Sequence, residues 1–150
     1  MKILLIEDDE VDIIAVRRLF KRNYISNRLE ISQDPAKTLN QLQERYHQPS
    51  AIFPESLLIL LDLYLPKMDG REFLIKLRSD SNLKQIPVVV LLTFEQERFL
   101  IEAENLNVSG YLKKPFTFSE LTQLMLTLNQ KKMFNWISEL PARSFSNYYS

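Results

Sequence analysis

Five short apolar runs alternate along this chain with five longer amphipathic ones, and no two-residue hairpin signal joins them. The apolar runs are "KILLI" (2–6), "RLEIS" (28–32), "LLILLD" (57–62), "IPVVVLLT" (86–93) and "GYLKK" (110–114). The amphipathic runs are "EVDIIAVRRLFKR" (10–22), "PAKTLNQLQERY" (35–46), "GREFLIKLRSD" (70–80), "EQERFLIEAENL" (95–106) and "TFSELTQLMLTLNQKKMFNWISEL" (117–140). Asp34-Pro35 reads as a helix cap followed by a first-turn proline, and Thr117 with Glu120 three residues on as a second cap. Strands that alternate with helices pair in parallel, and a parallel sheet is covered on both faces. The expected fold is therefore α/β, a doubly wound five-stranded parallel sheet.

Composition narrows the function. The chain has 150 residues, which suits one domain over 1–140, its core reaching about residue 128 and its last helix about 140, with 141–150 as a tail. Nineteen basic residues balance nineteen acidic ones, so no nucleic-acid surface is expected. There is no cysteine, which excludes disulfides and thiolate metal sites. The only glycines are Gly70 and Gly110, too few for a Walker A loop or a dinucleotide fingerprint. The opening "MKILLIEDDE" is too short an apolar run for a signal peptide or a membrane span, so a cytoplasmic location is expected.

The third strand poses the functional question, because "LLILLDLYLPKMDG" runs five apolar residues straight into Asp62. Ligands of an open parallel sheet bind beyond the carboxyl ends of its strands. The first strand ends in Glu7, Asp8 and Asp9, and the fifth in Lys113 and Lys114 before Pro115. If the first, third and fifth strands bring their tips together, several carboxylates and a lysine meet. Clustered carboxylates resist ionising unless a cation joins them, and a set of oxygen ligands suits Mg²⁺. Asp62 would then be both metal-adjacent and a nucleophile able to take a phosphoryl group.

The motifs "LLIEDD", "LLDLYLPKMDG", "IPVVVLLT" and "GYLKKPF" stand in order over residues 2 to about 128 and resemble the receiver domain of response regulators. That resemblance implies the flavodoxin-like receiver fold and phosphotransfer from a sensor histidine kinase. It makes Asp62 the phosphoacceptor. Asp8 and Asp62 would be direct metal ligands, with the backbone carbonyl of Tyr64, and Glu7 would act through water. Lys114 would contact the phosphoryl group, and Tyr111 would be the switch aromatic. Such a chain is a signalling protein and not a metabolic enzyme, with at most weak autophosphatase activity.

One position departs from the family pattern. The switch Thr or Ser at the end of the fourth strand falls on Leu92, and Thr93 is one place late. A one-residue offset turns a strand side chain to the other face, so Thr93 replaces it only if a bulge intervenes. Tyr64 and Phe94 are large aromatics flanking the expected phosphoryl group, which predicts slow hydrolysis. The alternative function is a phosphorylation-independent interaction module on the same fold, supported by Leu92 alone. A haloacid-dehalogenase-type enzyme needs a second Asp two residues after the nucleophile, where this chain has Tyr64.

A narrower likeness, carried by "LPKMDGREFL", "LKQIPVVVL" and the long last helix, points to the single-domain regulators paired with cyanobacterial phytochromes, and so to a phytochrome as the kinase. In that helix Leu121, Leu124, Met125 and Leu128 form the core stripe. Leu126, Met133, Ile137 and Leu140, with Trp136 nearby, lie roughly 130° round and read as a homodimer surface.

Overall fold

The computed structural model describes residues 1–47, 57–65 and 68–130. Strands and helices alternate strictly: β1 (Lys2–Ile6), α1 (Glu10–Arg22), β2 (Leu29–Ser32), α2 (Pro35–Arg45), β3 (Leu57–Asp62), α3 (Gly70–Ser79), β4 (Val88–Leu92), α4 (Gln96–Ala103), β5 (Gly110–Lys113) and α5 (Phe118–Gln130). All strand pairs are parallel, and the order is β2-β1-β3-β4-β5. This is the doubly wound, flavodoxin-like arrangement, whose order reverses between β1 and β3. The first and third strands are neighbours as expected. The fifth is not, because β4 separates it from β3. The stretch of the expected last helix after residue 130, the tail and residues 48–56 of the polar loop lie outside the described residues.

Strand alternation divides the core between two faces. Ile3, Leu5, Leu58, Leu60, Val89, Leu91 and Leu112 meet Ile13, Val16 and Phe20 of α1 and Leu121, Met125 and Leu128 of α5. Leu4, Ile6, Ile59, Leu61, Val88, Val90 and Leu92 meet α2, α3 and Ile101 of α4. The local signals agree with this packing. Asp9 Oδ1 accepts the amides of Val11 and Asp12 and starts α1, while Asp34 Oδ1 accepts the Lys37 amide ahead of Pro35. Thr117 Oγ1 accepts the Glu120 amide at 3.1 Å. Helix α4 ends earlier than its apolar pattern suggests, because Asn105 and Asn107 take left-handed conformations with φ of 51° and 54°. Arg78 braces the loops entering β4 and β5: its guanidinium donates to the carbonyls of Lys84, Ile86, Leu106 and Asn107.

Gly70 sets the turn after β3. Its amide donates to the Leu63 carbonyl at 3.0 Å, and a Cβ there would stand 2.3 Å from the Asp62 carbonyl oxygen and 2.7 Å from Leu63 Cα. Both obstacles are backbone, so neither can swing aside. At Gly110 a Cβ meets only the end of the Leu124 side chain. Gly70→Ala is therefore expected to cost about 1–3 kcal/mol through overpacking. Gly110→Ala should cost less, and urea denaturation of the two variants checks the order.

Candidate functional site

Alternation also decides which polar side chains converge. Leu5, Leu60 and Leu112 belong to the core under α1 and α5. Two residues after each come Glu7, Asp62 and Lys114, so the same face continues past the strand ends as two acids and an amine. The Lys114 side chain, not strand adjacency, brings β5 into the cluster. Its Nζ donates to Glu7 Oε2 at 3.1 Å and to Asp12 Oδ2 at 2.7 Å, and lies 3.3 Å from Asp62 Oδ1.

The acids are held deep. Asp62 is only 2% exposed and Glu7 is wholly buried. Glu7 Oε1 accepts the amides of Asp8 and Asp9, each at 3.2 Å. One carboxylate oxygen each from Glu7, Asp8 and Asp62 lie within 4.8 Å of one another. Asp62 Oδ1 is buried without a hydrogen-bond partner. The Lys114 amine at 3.3 Å offsets part of that burial cost, but one amine shared among Glu7, Asp12 and Asp62 leaves negative charge for a further cation. The donors are all hard oxygens, which fits Mg²⁺ or Mn²⁺.

Protonation reflects the crowding. Burial, followed by the hydrogen bond and charge of Asp62, pushes Glu7 from its ordinary value up to about 8, against the opposing pull of Lys114. Burial alone would lower Lys114, but its bonds to Asp12 and Glu7 and the charge of Asp62 hold it above the usual lysine range. Without a metal, the Glu7 carboxyl thus keeps a proton.

The switch positions fall on the other face. Leu92 is buried in the core against α4, and Tyr111 packs half-buried against the same cluster. The register runs unbroken through Asp62↔Leu91 and Leu92↔Lys113, so no bulge moves Thr93 into the place of Leu92. Thr93 itself is exposed. Arg98 of α4 lies over the Tyr111 ring, 4.9 Å from its centroid. Tyr64 and Phe94 stand largely in solvent, 61% and 60% exposed, and are not packed among the buried acids. In α5 the stripe of Leu121, Met125 and Leu128 is buried as expected, and Leu126 is half-buried. Met133, Trp136, Ile137 and Leu140 lie outside the described residues.

Two participants were not foreseen. Asp12 looks like an ordinary first-turn helix acid, and nothing in its local sequence sets it apart. Glu97 is buried at the start of α4, where its carboxylate accepts the amides of Phe94 and Thr93.

The proton on Glu7 has a measurable consequence in metal-free protein. The folded chain keeps it to about pH 8, whereas an unfolded Glu releases it near 4.5. Across that window the unfolded state binds fewer protons, so this group's contribution to stability falls as pH rises. Asp62→Asn removes the neighbouring charge and is expected to raise stability at the alkaline end by roughly 1–3 kcal/mol, an advantage that vanishes at the acid end. Urea titrations in chelator across the window check this; an Asn variant no more stable at the alkaline end contradicts the electrostatic account.

Comparison with known proteins places this geometry. Residues 3–126 match the family described as response regulator receiver domain. Response regulator Rcp1 of Synechocystis sp. (strain ATCC 27184 / PCC 6803 / Kazusa) is 37% identical over 123 residues, 82% of this chain and 82% of that protein. A crystal structure of the Mn(2+)-bound form of response regulator Rcp1 is similar with a TM-score of 0.62 at 35% identity, over 93% of this chain and 98% of that one. The bacteriophytochrome response regulator RtBRR has a TM-score of 0.72 at 29% identity, over 99% and 88% of the two chains. A crystal structure of the phosphorylated cyanobacterial phytochrome response regulator RcpA has a TM-score of 0.60 at 32% identity, over 94% and 98%.

Proposed function

The chain belongs to the response regulator receiver domain family, and on that premise we propose that it takes a phosphoryl group from a sensor histidine kinase onto Asp62, with Mg²⁺, and changes its association with itself or a partner. The observation that carries this reading is the meeting of Lys114 Nζ, 3.3 Å from Asp62 Oδ1, with carboxylate oxygens of Glu7, Asp8 and Asp62 within 4.8 Å of one another. Rcp1, RtBRR and RcpA, by their names regulators and in two cases linked to phytochromes, support a phytochrome-type kinase as the donor.

In the transfer, an oxygen of Asp62 attacks the phosphorus of a phosphohistidine. A P–O bond forms, the P–N bond breaks, and the imidazole leaves with its electron pair and gains a proton from solvent. Lys114 offsets the negative charge on the phosphoryl oxygens. Asp8, Asp62 and the Tyr64 carbonyl would hold the metal directly and Glu7 through water; the bound ion supplies charge neutralisation at the transferring group. Glu7 and Asp12 keep the Lys114 amine in place. Tyr64 and Phe94, which stand in solvent in the unmodified chain, are the proposed shield against water once a phosphoryl group is bound. Leu126 of α5, with Met133, Trp136, Ile137 and Leu140 beyond the described residues, is the proposed self-association surface.

A second reading has its own observation. Leu92 fills the place of the switch hydroxyl with a buried apolar side chain, which favours an interaction module indifferent to phosphorylation. The two separate in one experiment. Incubation with a phosphorylated candidate kinase and Mg²⁺ is expected to add one phosphoryl group at Asp62 by mass spectrometry, none to Asp62→Asn, and to shift the oligomeric mass. Modification with no change in association favours the second reading. The phosphoryl group is expected to last minutes or longer in the isolated protein, and Tyr64→Ala to shorten that life; decay within seconds in the unaltered chain would count against the shielding role.

A further inference from the structure

Glu97 is a buried carboxylate that phosphoryl acceptance does not use. It is 3% exposed. Its Oε1 accepts the Phe94 amide at 2.7 Å and its Oε2 the Thr93 amide at 3.4 Å. These amides form the corner between β4 and α4. The corner adjoins the site, because Asp62 sits beside Leu91 in the register and the Lys114 amide donates to the Leu92 carbonyl at 2.7 Å. Asp62 and this corner thus stand at neighbouring strand ends, and Leu92 offers no hydroxyl there.

We propose that Glu97 is the positioning residue linking Asp62 to α4: its carboxylate holds the Thr93 and Phe94 amides in the unphosphorylated chain, and a phosphoryl group on Asp62 takes the Thr93 amide from it. The proposal rests on the phosphoacceptor reading. The two bonds are unequal, and the one nearer β4 is at the limit of hydrogen-bond length while the other is short. Thr93 is thus the amide released first, with Phe94 as the pivot. The next residue, Arg98, covers the Tyr111 ring and pairs with Glu95 at 3.6 Å and Glu102 at 3.0 Å. A shift of Glu97 is passed through α4 to Tyr111 and to the exposed Phe99 and Leu100.

A plain helix cap would look similar, since a Glu in the first helical turn commonly reaches back to an amide just before the helix. It would respond differently. Beryllofluoride with Mg²⁺ serves as the phosphoryl mimic on the full chain. By NMR, the Glu97 carboxyl carbon and the Thr93 amide are expected to shift when beryllofluoride joins Mg²⁺, and not with Mg²⁺ alone. Glu97→Ala is expected to lower the thermal midpoint yet bind beryllofluoride about fivefold or more tightly, because the competitor is gone. Glu97→Gln, which keeps a neutral acceptor, should fall between. Should the Ala variant fail to fold, the Gln variant and the carboxyl signal carry the same test. Unchanged or weaker binding in the variants, with a silent Glu97 carboxyl, reduces Glu97 to a cap and overturns the proposal alone. Beryllofluoride that leaves Asp62 itself unperturbed overturns the phosphoacceptor reading and the proposal together.

Discussion

A carboxylate buried at the end of an otherwise apolar strand is the constraint on which this structure turns. Asp62 closes a strand whose preceding residues are all buried, and it is buried with them. Removing an ionised carboxylate from water costs several kcal/mol unless charge and hydrogen bonds are restored around it. The chain restores charge with one amine from the far side of β4. It leaves one Asp62 oxygen unbonded and keeps a proton on Glu7. Such a site is incompletely balanced on its own. Its remaining negative charge is what a divalent ion can relieve. The stability given up in holding these acids together is the usual accompaniment of a site made for binding.

Backbone geometry serves the same residue. The bond from the Gly70 amide to the Leu63 carbonyl folds the chain back against Asp62 so closely that any side chain at 70 would strike the Asp62 backbone. The turn and the acid are therefore one unit, and the glycine's value lies in its missing Cβ.

How much of this could be read from the residues follows from where each one stands. Glu7, Asp8, Asp62 and Lys114 are legible because each interrupts or ends an apolar strand, where a charge is out of place unless it faces a ligand. Alternation then puts Glu7, Asp62 and Lys114 on one face. Asp12 and Glu97 were hidden because acids are ordinary near helix starts, and only tertiary placement shows that one holds the lysine and the other is buried. The position of β4 between β3 and β5 was also hidden: apolar strands carry no local mark of their neighbours. The lateness of Thr93 was visible, whereas the absence of a bulge needed the register.

The substitution at 92 bears on how a phosphoryl signal leaves the site. Leu92 offers no donor there, and its side chain is buried in the core against which Tyr111 packs. Tyr111 is instead held from outside by Arg98, on a helix whose first turn is tied to the β4 corner through Glu97. In the proposed relay the coupling runs through movement of α4 as a body, because packed cores offer discrete alternatives rather than gradual deformation. α4 is suited to that: it is short, it ends in left-handed asparagines, and its exposed Phe99 and Leu100 make its position readable by a partner.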